Sequence, residues 1–527
     1  MQYPSGRHDP GEPTSSWDDW QRPIGGNGAP SPRRRGRRSR WAKAGYIIAS
    51  LLAVVVLVAG IGGYVYYRHL DSNITVVNVG GLSGRTIYGA QNILVLGSQV
   101  RAGQHGHLFG IAPGSSIYTS NSDNLLVVHL DPTHTHATIL SIPRDTFVYE
   151  PGCKARSKMI GTGTMGPYDY PPGNIIDGAL NIGGPTCAVK TVEALTGIKI
   201  DHFIEFNFNS FRRMVDTIGG VWVCVPRGGY HDPKSGLNLG PGRHKVTYNQ
   251  ALAYVRTRSI LGGPDAGGDL PRIALQQAFI SSLIQNVDSR GLLGDTPTLL
   301  SIADTATKAL TVDRGLGSVS SLLSLAKSLI HLKPKDVSLI TMPTQPDSYE
   351  YPKYSQHSMV VQPQDDILFG MLLNNQAWTG HLPTMPPAKV QVRVLNATGQ
   401  SNLAAHTATK LRRLGYDVVS VGDSTATNTT TVTFSGVAQA DSAYTLMTAL
   451  KSMPTGQNLL AEPASQLGSA GPVTLILGSD FAGVKTPAQI SAPTSGTTKK
   501  HHHNSNGGVQ SRNAAANICK GLPKATN

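Results

Sequence analysis

The chain is poor in cysteine and in the short motifs of common hydrolases. It has 4 cysteines among 527 residues, and because no two of them form a Cys-x-x-Cys pair, a zinc site is not expected. The Gly-x-Ser-x-Gly elbow of serine hydrolases and the His-Glu-x-x-His helix of zinc proteases are both missing. The glycine-rich stretch at residues 261–269 lacks a Gly-Lys-Ser/Thr ending, which excludes a phosphate-binding loop of the Walker type.

Negative charge is also scarce. Lysine and arginine number 46 against 32 aspartate and glutamate residues, which gives a formal net charge of +14. Residues 33–43 contain seven basic residues and no acidic one, and the chain after residue 68 is basic as well. A content of 39% hydrophobic and 15% charged residues indicates a globular body, and its positive surplus suits a polyanionic ligand.

One apolar run, at residues 44–67, is long enough to cross a membrane, because about 20 helical residues span a hydrocarbon core of ~30 Å. The basic residues before it predict a cytoplasmic N-terminus. An uncleaved anchor is preferred over a cleaved signal peptide, whose apolar region is usually only ~7–15 residues long. We therefore predict a single-pass cell-membrane protein with the bulk of the chain outside, where nucleic acid is not an expected partner.

An exported location permits disulfides, but the sequence does not give their pairing. The cysteines are Cys153, Cys187, Cys224 and Cys519. Cys187 opens a predicted helix and Cys224 ends a predicted strand, so a bridge between these two is one interpretation. Two inert buried thiols are the alternative.

Composition divides the chain into tails, linkers and two domains. We predict a disordered basic cytoplasmic tail at 1–43, a transmembrane helix at 44–67, a linker at 68–90, a large domain at 91–378, a proline-rich hinge at 379–388, a small domain at 389–485 and a disordered tail at 486–527. Both tails are rich in small and polar residues and lack apolar periodicity.

Strands and helices alternate in the large domain. Apolar runs of strand length occur at 92–97, 124–130, 136–142, 221–225 and 337–341. Helices are predicted from Pro185, after a cap at Asn209, and near residues 318–332 and 367–372. This order predicts an α/β fold, an α-β-α sandwich with a central mixed sheet, and the small domain is predicted to be a second compact α/β unit.

Arginines and aspartates gather where the predicted strands end. Arg101 follows the first strand, Asp123 precedes the second, and Arg144 and Asp145 follow the third. Open α/β sheets place ligand sites at such strand ends. Guanidinium groups neutralise phosphate oxygens, and a carboxylate holds Mg²⁺ or orients a nucleophile, so the pattern indicates phosphoryl chemistry. Ordinary surface charges are the alternative explanation.

Two further pairs add to this pattern. Arg256 and Arg258 would share one face if the backbone were extended there. Arg272 and Gln276 lie one helical turn apart at a predicted helix start, where backbone amides favour an anion.

Several sequence motifs of the large domain resemble those of the LytR-CpsA-Psr family. The resemblance is carried above all by Ser141-Ile-Pro-Arg-Asp145, Ala251-Leu-Ala-Tyr-Val-Arg-Thr-Arg258 and Arg272-Ile-Ala-Leu-Gln-Gln277, and it extends from Asn92 to Trp378. The small domain is similar to the accessory C-terminal domain of many actinobacterial members. The resemblance implies an extracytoplasmic transferase that takes a glycopolymer from a polyprenyl (pyro)phosphate carrier and joins it to peptidoglycan by a phosphodiester, using Mg²⁺.

The resemblance also implies roles for individual residues. Catalytic roles fall to Asp145, Arg144 and Asp123; pyrophosphate binding to Arg101, Arg144, Arg256, Arg258, Arg272 and Gln276; and metal binding to Asp123 and Gln99. The implied partners are the lipid-linked glycopolymer, peptidoglycan and the membrane.

Four positions depart from the family pattern. Gln99 stands where a metal-binding Asp is usual, Asn121 and Leu275 stand where Arg is usual, and Ile175-Ile-Asp177 replaces a Lys-x-Asn motif. A neutral amide supplies a weaker oxygen to a cation than a carboxylate does. Two alternatives follow: a non-catalytic envelope protein that binds carrier or polymer as a regulator or scaffold, and a polyprenyl pyrophosphatase.

Overall fold

The computed structural model describes residues 40–83, 89–98, 122–148, 153–154, 164–165, 175–261, 269–289, 296–329, 332–346, 358–459, 471–491 and 509–525. The chain divides into two compact units, Met1–Tyr64 and Val65–Asn527. In the first unit the described residues belong to a single helix, and the second unit contains the remaining elements.

The helices are α1 (Arg40–Asn73), α2 (Ala179–Thr196), α3 (Phe208–Thr217), α4 (Tyr248–Arg256), α5 (Leu270–Ser289), α6 (Thr296–Ala309), α7 (Val319–Leu329), α8 (Gln364–Leu373), α9 (Leu403–Arg413), α10 (Val437–Thr448) and α11 (Pro487–Ser491).

The strands are β1 (Thr75–Val77), β2 (Gln91–Ser98), β3 (Ser122–Leu130), β4 (Ala137–Ile142), β5 (Cys153–Lys154), β6 (Thr164–Met165), β7 (His202–Asn207), β8 (Val221–Val225), β9 (Tyr230–Asp232), β10 (Leu237–Leu239), β11 (Gly242–Val246), β12 (Leu310–Asp313), β13 (Val337–Thr341), β14 (Thr344–Pro346), β15 (Ser358–Val360), β16 (Gln391–Asn396), β17 (Asp417–Asp423), β18 (Thr431–Phe434), β19 (Thr455–Asn458), β20 (Val473–Leu477) and β21 (Gln510–Asn513).

Helix α1 contains the predicted anchor. Its stretch Ile48–Asn73 has a mean hydropathy of 2.4 over 26 residues, which is long and apolar enough to span a bilayer. The predicted linker at 68–90 is wrong in part, because α1 continues to Asn73 and β1 then joins the edge of a sheet. The helix therefore leads into the large domain after a single residue, Ile74.

The large domain is built on a mixed eight-stranded sheet in the order β1-β12-β7-β2-β3-β4-β13-β21. Strand β2 pairs parallel with β7 and antiparallel with β3. Along β2 the buried side chains alternate between faces: Leu94 and Leu96 pack in the core that includes residues of α2 and α8, and Ile93 packs in the core that includes residues of α5 and α7. The predicted α-β-α sandwich with a mixed central sheet is thus confirmed.

Two helix starts differ from the prediction. Asn207, not Asn209, caps α3, since its side chain accepts a hydrogen bond from the Ser210 amide at 3.0 Å. The helix expected from Pro185 begins earlier, at Ala179, and is kinked at Gly184, whose φ is +71°. Pro185 therefore opens only the second part of α2, where its missing amide is tolerated.

The small domain has a five-stranded sheet in the order β17-β16-β20-β18-β19. The predicted second α/β unit is confirmed, and β19 is a strand that the sequence analysis did not predict. Its edge position and the composition Thr-Gly-Gln-Asn explain why no apolar signal marks it.

The second tail is not disordered where the structure describes it. Residues 509–525, called the C-terminal strap below, add β21 to the edge strand β13 and bury Ala514 completely. Tyr230 donates a hydrogen bond to the Pro523 carbonyl at 2.5 Å. The prediction of disorder from residue 486 is therefore wrong for the strap and for α11. Sheet-edge pairing is a non-local contact that local composition cannot reveal.

The cysteines form two disulfides, Cys153–Cys187 and Cys224–Cys519, separated by 34 and 295 residues in sequence. The Cys187–Cys224 bridge is therefore wrong, and so is the alternative of two free thiols. Each of these two residues has a different partner because Cys187 lies in a small core with Cys153, whereas Cys224 faces the strap.

Candidate functional site

One end of the main sheet gathers charged side chains from four segments. Asp123 lies in β3, Arg144 and Asp145 follow β4, Asp177 lies in the short 3-10 helix Ile176–Gly178, and Arg258, Asp269 and Arg272 flank the chain between α4 and α5. The antiparallel pairing of Leu125 with Ile142 brings Asp123 and Arg144 side by side, because each lies two residues beyond that pair.

The ion pairs of this cluster share partners and form one network. Arg144 contacts Asp123 at 2.8 Å, and its Nε lies 3.7 Å from Asp269. Arg272 contacts Asp269 at 2.6 Å and lies 3.9 Å from Asp123. The side chains of Asp123 and Arg144 remain 17% and 20% exposed, whereas Asp269 and Arg272 are buried, so the cluster has a deep half and an open half.

Hydrogen bonds fix the backbone around the cluster. The Asp177 amide donates to the Arg144 carbonyl at 3.1 Å, and Ser122 Oγ donates to the Asp177 carbonyl at 3.4 Å. The Arg258 amide donates to the buried Asp232 carboxylate at 3.0 Å. Asp232 also accepts from Ser259 and from two backbone amides, and these bonds hold its pKa below the usual value despite burial.

Burial and neighbouring carboxylates raise the pKa values of two aspartates in the cluster. Burial first, and then the nearby Asp123, Asp145 and Asp269, raise the pKa of Asp177 to about 6, although Arg144 opposes the shift. Burial and Asp269 likewise raise the pKa of Asp145. A carboxylate with a raised pKa accepts a proton more readily than an exposed one, which is a property of acid–base groups.

The pKa values of Arg144 and Arg258 are shifted in opposite directions. Burial alone would lower the pKa of Arg144, but Asp269 and Asp123 raise it. The pKa of Arg258 is lowered by burial and by the like charges of Arg144 and Arg272. Arg258 is therefore close enough to Arg144 and Arg272 to be repelled by them, and an added anion would relieve that repulsion.

For two more of the predicted residues the structure shows contacts other than the ion pairs of the cluster. Arg256 ends helix α4, so the extended backbone assumed for it does not occur, and its guanidinium lies 4.8 Å from the centre of the Phe208 ring. Gln276 donates to the Val255 carbonyl at 3.2 Å and thereby joins α5 to α4. Gln99, Arg101 and Asn121 lie outside the described residues.

The structure shows the contacts of two residues that depart from the family pattern. Leu275 is fully buried in a core with Tyr254 and Phe279, where an arginine would lose its hydration. Ile175 forms an isolated bridge with Phe147.

The sequence reading missed Asp177 and Asp269 as site residues. Asp269 precedes Arg272 by three residues at the start of α5, and this spacing is a usable signal for an ion pair. Asp177 ends the Ile175-Ile-Asp177 string that stands in place of the family's Lys-x-Asn motif, and this position was interpreted only as a departure, whereas the fold places it close to Asp123 and Arg144.

Among the described residues, no three His, Cys, Asp or Glu side chains stand close enough together to form a ready metal site. The donor chemistry nevertheless fits a hard cation. Asp145 and Asp177 each keep a buried oxygen, Oδ1, without a hydrogen-bond partner near Asp123. Carboxylate oxygens are the ligands that Mg²⁺ prefers.

A small apolar cleft lies between the sheet and α8 and is lined by Thr138, Leu140, Ile340, Leu368, Met371, Leu372, Gln376 and Trp378. Its own side chains nearly fill it and leave room for about one water molecule, so we assign it no lipid.

The family model described as "LytR_cpsA_psr family" matches residues 71–366, more than half of the chain. The chain belongs to the LytR-CpsA-Psr family. A second model, "LytR cell envelope-related transcriptional attenuator", matches residues 389–481 and corresponds to the small domain. The LytR-CpsA-Psr resemblance carried by the sequence motifs is confirmed for both domains.

Curated relatives in this family include proteins of cell-wall biosynthesis. The cell wall biosynthesis protein LcpA of Corynebacterium glutamicum is 27% identical over 410 residues, covering 72% of this chain and 76% of LcpA. The polyisoprenyl-teichoic acid–peptidoglycan teichoic acid transferase TagT of Bacillus subtilis is 26% identical over 347 residues, covering 62% of this chain and 95% of TagT.

Solved LytR-CpsA-Psr structures are more distant. The "LytR-Csp2A-Psr enzyme" from Actinomyces oris is 20% identical with a TM-score of 0.42, covering 57% of this chain and 95% of that structure. The TagT structure from Bacillus subtilis is 21% identical with a TM-score of 0.38, covering 57% and 99%.

Proposed function

We propose that this protein is an extracytoplasmic phosphotransferase that moves a glycopolymer from a polyprenyl (pyro)phosphate carrier to peptidoglycan, forming a phosphodiester. The observation that carries the proposal is the cluster of Arg144, Arg258 and Arg272 with buried aspartates at one end of the sheet. Family membership and the names of the curated relatives, which are transferases or cell-wall proteins, support it.

In this proposal the arginines hold the diphosphate. Arg144 and Arg258 are both half-buried, and their guanidinium forks match phosphate oxygens. Arg272 is buried and forms an ion pair with Asp269, so it supplies a positive charge at a fixed position. Charge that develops on the phosphoryl oxygens during transfer is stabilised by such preorganised donors.

Asp145 is proposed to act as the base. An acceptor hydroxyl oxygen of peptidoglycan forms a bond to the polymer-side phosphorus, and the bond from that phosphorus to the bridging oxygen breaks. Polyprenyl phosphate leaves, and the hydroxyl proton passes to the Asp145 carboxylate. Burial raises the pKa of Asp145, which makes it a better proton acceptor than an exposed aspartate.

Mg²⁺ is part of the proposal because the donor chemistry fits it. Asp123 and Gln99 would hold the ion, which would supply positive charge to a site that carries four aspartates. The change from Asp to Gln at residue 99 is expected to weaken the affinity for Mg²⁺.

We also propose that α1 is a single-pass anchor with a cytoplasmic N-terminus. The basic residues 33–43 precede its apolar stretch and support that orientation. The catalytic domain would then face the lipid-linked polymer and peptidoglycan outside the cell.

The test uses the full-length protein in detergent with a short lipid-pyrophosphate glycan, Mg²⁺ and solubilised peptidoglycan strands. Released polyprenyl phosphate and the joined product are measured together. Arg144→Ala is expected to lower the rate at least ~100-fold, because it removes a charge that stabilises the transition state. Arg314→Ala, an exposed arginine in a short turn after β12, is the matched control and should leave the rate unchanged.

The same assay separates the alternatives. Carrier release without joined product, at a rate independent of peptidoglycan, would indicate a pyrophosphatase. Binding of the lipid-linked glycan with no release of carrier would indicate a binding protein and would contradict the transferase.

A further inference from the structure

The segment that carries Arg258 is a short turn between α4 and α5. Residues 258–261, called the arginine turn below, are closed by a hydrogen bond from the Leu261 amide to the Arg258 carbonyl at 3.1 Å. Arg258 is half-buried and Ser259 is exposed, so the turn lies at the protein surface. Helix α4 ends at Arg256, and the position of the turn therefore depends on contacts with other parts of the chain.

A buried carboxylate holds the first half of the arginine turn. Asp232 lies at the end of β9, and its Oδ2 atom accepts hydrogen bonds from the amides of Arg258 and Ser259 at 3.0 and 3.3 Å. Its Oδ1 atom accepts from the amides of Lys234 and Ser235, which belong to the turn between β9 and β10. One oxygen of Asp232 therefore binds its own hairpin, and the other fixes the backbone of Arg258.

The end of the C-terminal strap holds the second half of the same turn. Ala525 forms an isolated antiparallel bridge with Leu261, which is buried. Leu522 and Ala525 also pack against the core that contains Leu261. Tyr230, in the same strand as the carboxylate, donates a hydrogen bond to the Pro523 carbonyl of the strap. Strand β9 thus contacts both the strap and the arginine turn.

The charged neighbours of Arg258 act on it in both directions. Arg144 and Arg272 repel its guanidinium, while Asp269 and Asp145 attract it. A fixed backbone keeps the guanidinium of Arg258 beside the two like charges before an anion binds. A donor that is already in place binds a phosphate group without the entropy cost of ordering a mobile segment.

We propose that Asp232 and residues 522–525 of the C-terminal strap are positioning elements of the candidate site: they fix the arginine turn and thereby hold Arg258 where it binds a diphosphate. The proposal rests on the proposed function for the ligand of Arg258, but not for the attachment of the turn. The C-terminal end of the chain then does more than stabilise the fold, because it contributes to the geometry of the site.

Hydrogen–deuterium exchange of the full-length protein in detergent measures the attachment of the turn directly. In Asp232→Asn an amide group replaces one carboxylate oxygen and faces backbone donors. The amides of Arg258 and Ser259 are therefore expected to exchange at least about tenfold faster in this variant. Deletion of residues 522–527 leaves the disulfide of the strap in place and should also raise exchange in the arginine turn.

Tyr230→Phe keeps the test valid if Asp232→Asn fails to fold. It removes only the hydroxyl that binds the strap, so exchange in the arginine turn should rise by a smaller factor than in the deletion. Tyr416→Phe is the matched control, because the buried Tyr416 also donates a hydrogen bond to a backbone carbonyl, that of Thr445, but lies in the small domain. The control should leave exchange in the arginine turn unchanged.

The affinity for inorganic pyrophosphate, measured by titration calorimetry, tests whether this attachment serves the site. Arg258→Ala is expected to weaken binding at least about tenfold, and Asp232→Asn about fivefold. In the Arg258→Ala background, Asp232→Asn should have no further effect, because Asp232 acts through Arg258. A purely structural role of Asp232 would instead give the same fold loss in both backgrounds.

Three outcomes would overturn the proposal. The first is unchanged exchange in the arginine turn of every folded variant. The second is faster exchange with an unchanged affinity for pyrophosphate, although Arg258→Ala weakens that affinity. The third is an equal fold loss for Asp232→Asn with and without Arg258.

Failure of the proposed function is distinguishable from failure of this proposal. A wild type that binds no pyrophosphate, or that binds it as Arg258→Ala does, contradicts the proposed role of Arg258 in holding the diphosphate. The exchange rates then still decide whether Asp232 and the strap hold the arginine turn.

Discussion

At the scale of single residues, the candidate site contains an aspartate whose pKa is raised by burial and by neighbouring carboxylates. Asp177 stands beside three other aspartates, and its pKa is raised from 3.8 to about 6. The folded protein therefore keeps a proton on Asp177 between about pH 4 and 6 that the unfolded chain has already lost. Ionisation of this group costs stability as pH rises through that window, on the order of 3 kcal/mol in total.

Replacing Asp177 with Asn is expected to remove this cost. The variant should melt at a higher temperature than the wild type above pH 6 and at the same temperature near pH 4. Thermal unfolding at several pH values in the presence of a chelator measures the difference. A difference that does not change with pH would contradict the assignment of the raised pKa to Asp177.

The buried pair Asp269–Arg272 gives a second prediction at this scale. Both residues are less than a tenth exposed, so Asp269→Ala leaves the Arg272 guanidinium with fewer compensating charges. Loss of one partner of a buried pair costs about 3–5 kcal/mol. Denaturant unfolding should detect that loss, whereas Asp304→Ala, which breaks the exposed pair with Lys308, should cost less than ~1 kcal/mol. Equal effects of the two variants would refute the argument.

At the scale of elements, the strap is attached by contacts far apart in sequence. The Cys224–Cys519 disulfide closes 295 residues, and β21 pairs with β13. Cys224→Ser with Cys519→Ser is expected to destabilise the large domain by about 2–4 kcal/mol, mainly because the unfolded chain gains freedom. The matched control is Cys153→Ser with Cys187→Ser, which opens a shorter loop and should cost less. Melting temperatures of both double variants test the order, and a larger loss in the control would contradict it.

The same elements show what sequence reveals and what it does not. Strands β2, β3 and β4 were predictable because each is a continuous apolar run buried in the sheet. Asp123, Arg144 and Arg272 were predictable because strand ends and a helix start carry them. The strap, β19 and the pairing of Cys224 were not, since each depends on a partner remote in the chain. The position of Asp177 in the place of a family motif was a signal, but its contribution of a carboxylate to the site becomes clear only from the fold.

At the scale of the whole molecule, the two domains of the second unit pack through α8 and α10. Gly370 in α8 lies so close to Val437 that a Cβ at this position would stand 2.5 Å from Val437 Cγ1. In the small domain, a Cβ at Gly456 would stand even closer to the Gln362 carbonyl oxygen. The chain leaves the large domain before β16 and returns to it with β21, so the small domain is attached at both ends as well as through this interface.

This packing predicts how the domains unfold. The wild type is expected to show one cooperative transition for both domains, because α8 and α10 share a core. Gly370→Ala introduces overpacking that typically costs about 1–3 kcal/mol and should separate or lower that transition. Adding Val437→Ala to Gly370→Ala makes room for the new methyl group and should recover part of the loss. Calorimetry of the wild type, Gly370→Ala, Val437→Ala and the double variant measures this, and a double variant less stable than the sum of the two single changes predicts would show that the strain lies elsewhere.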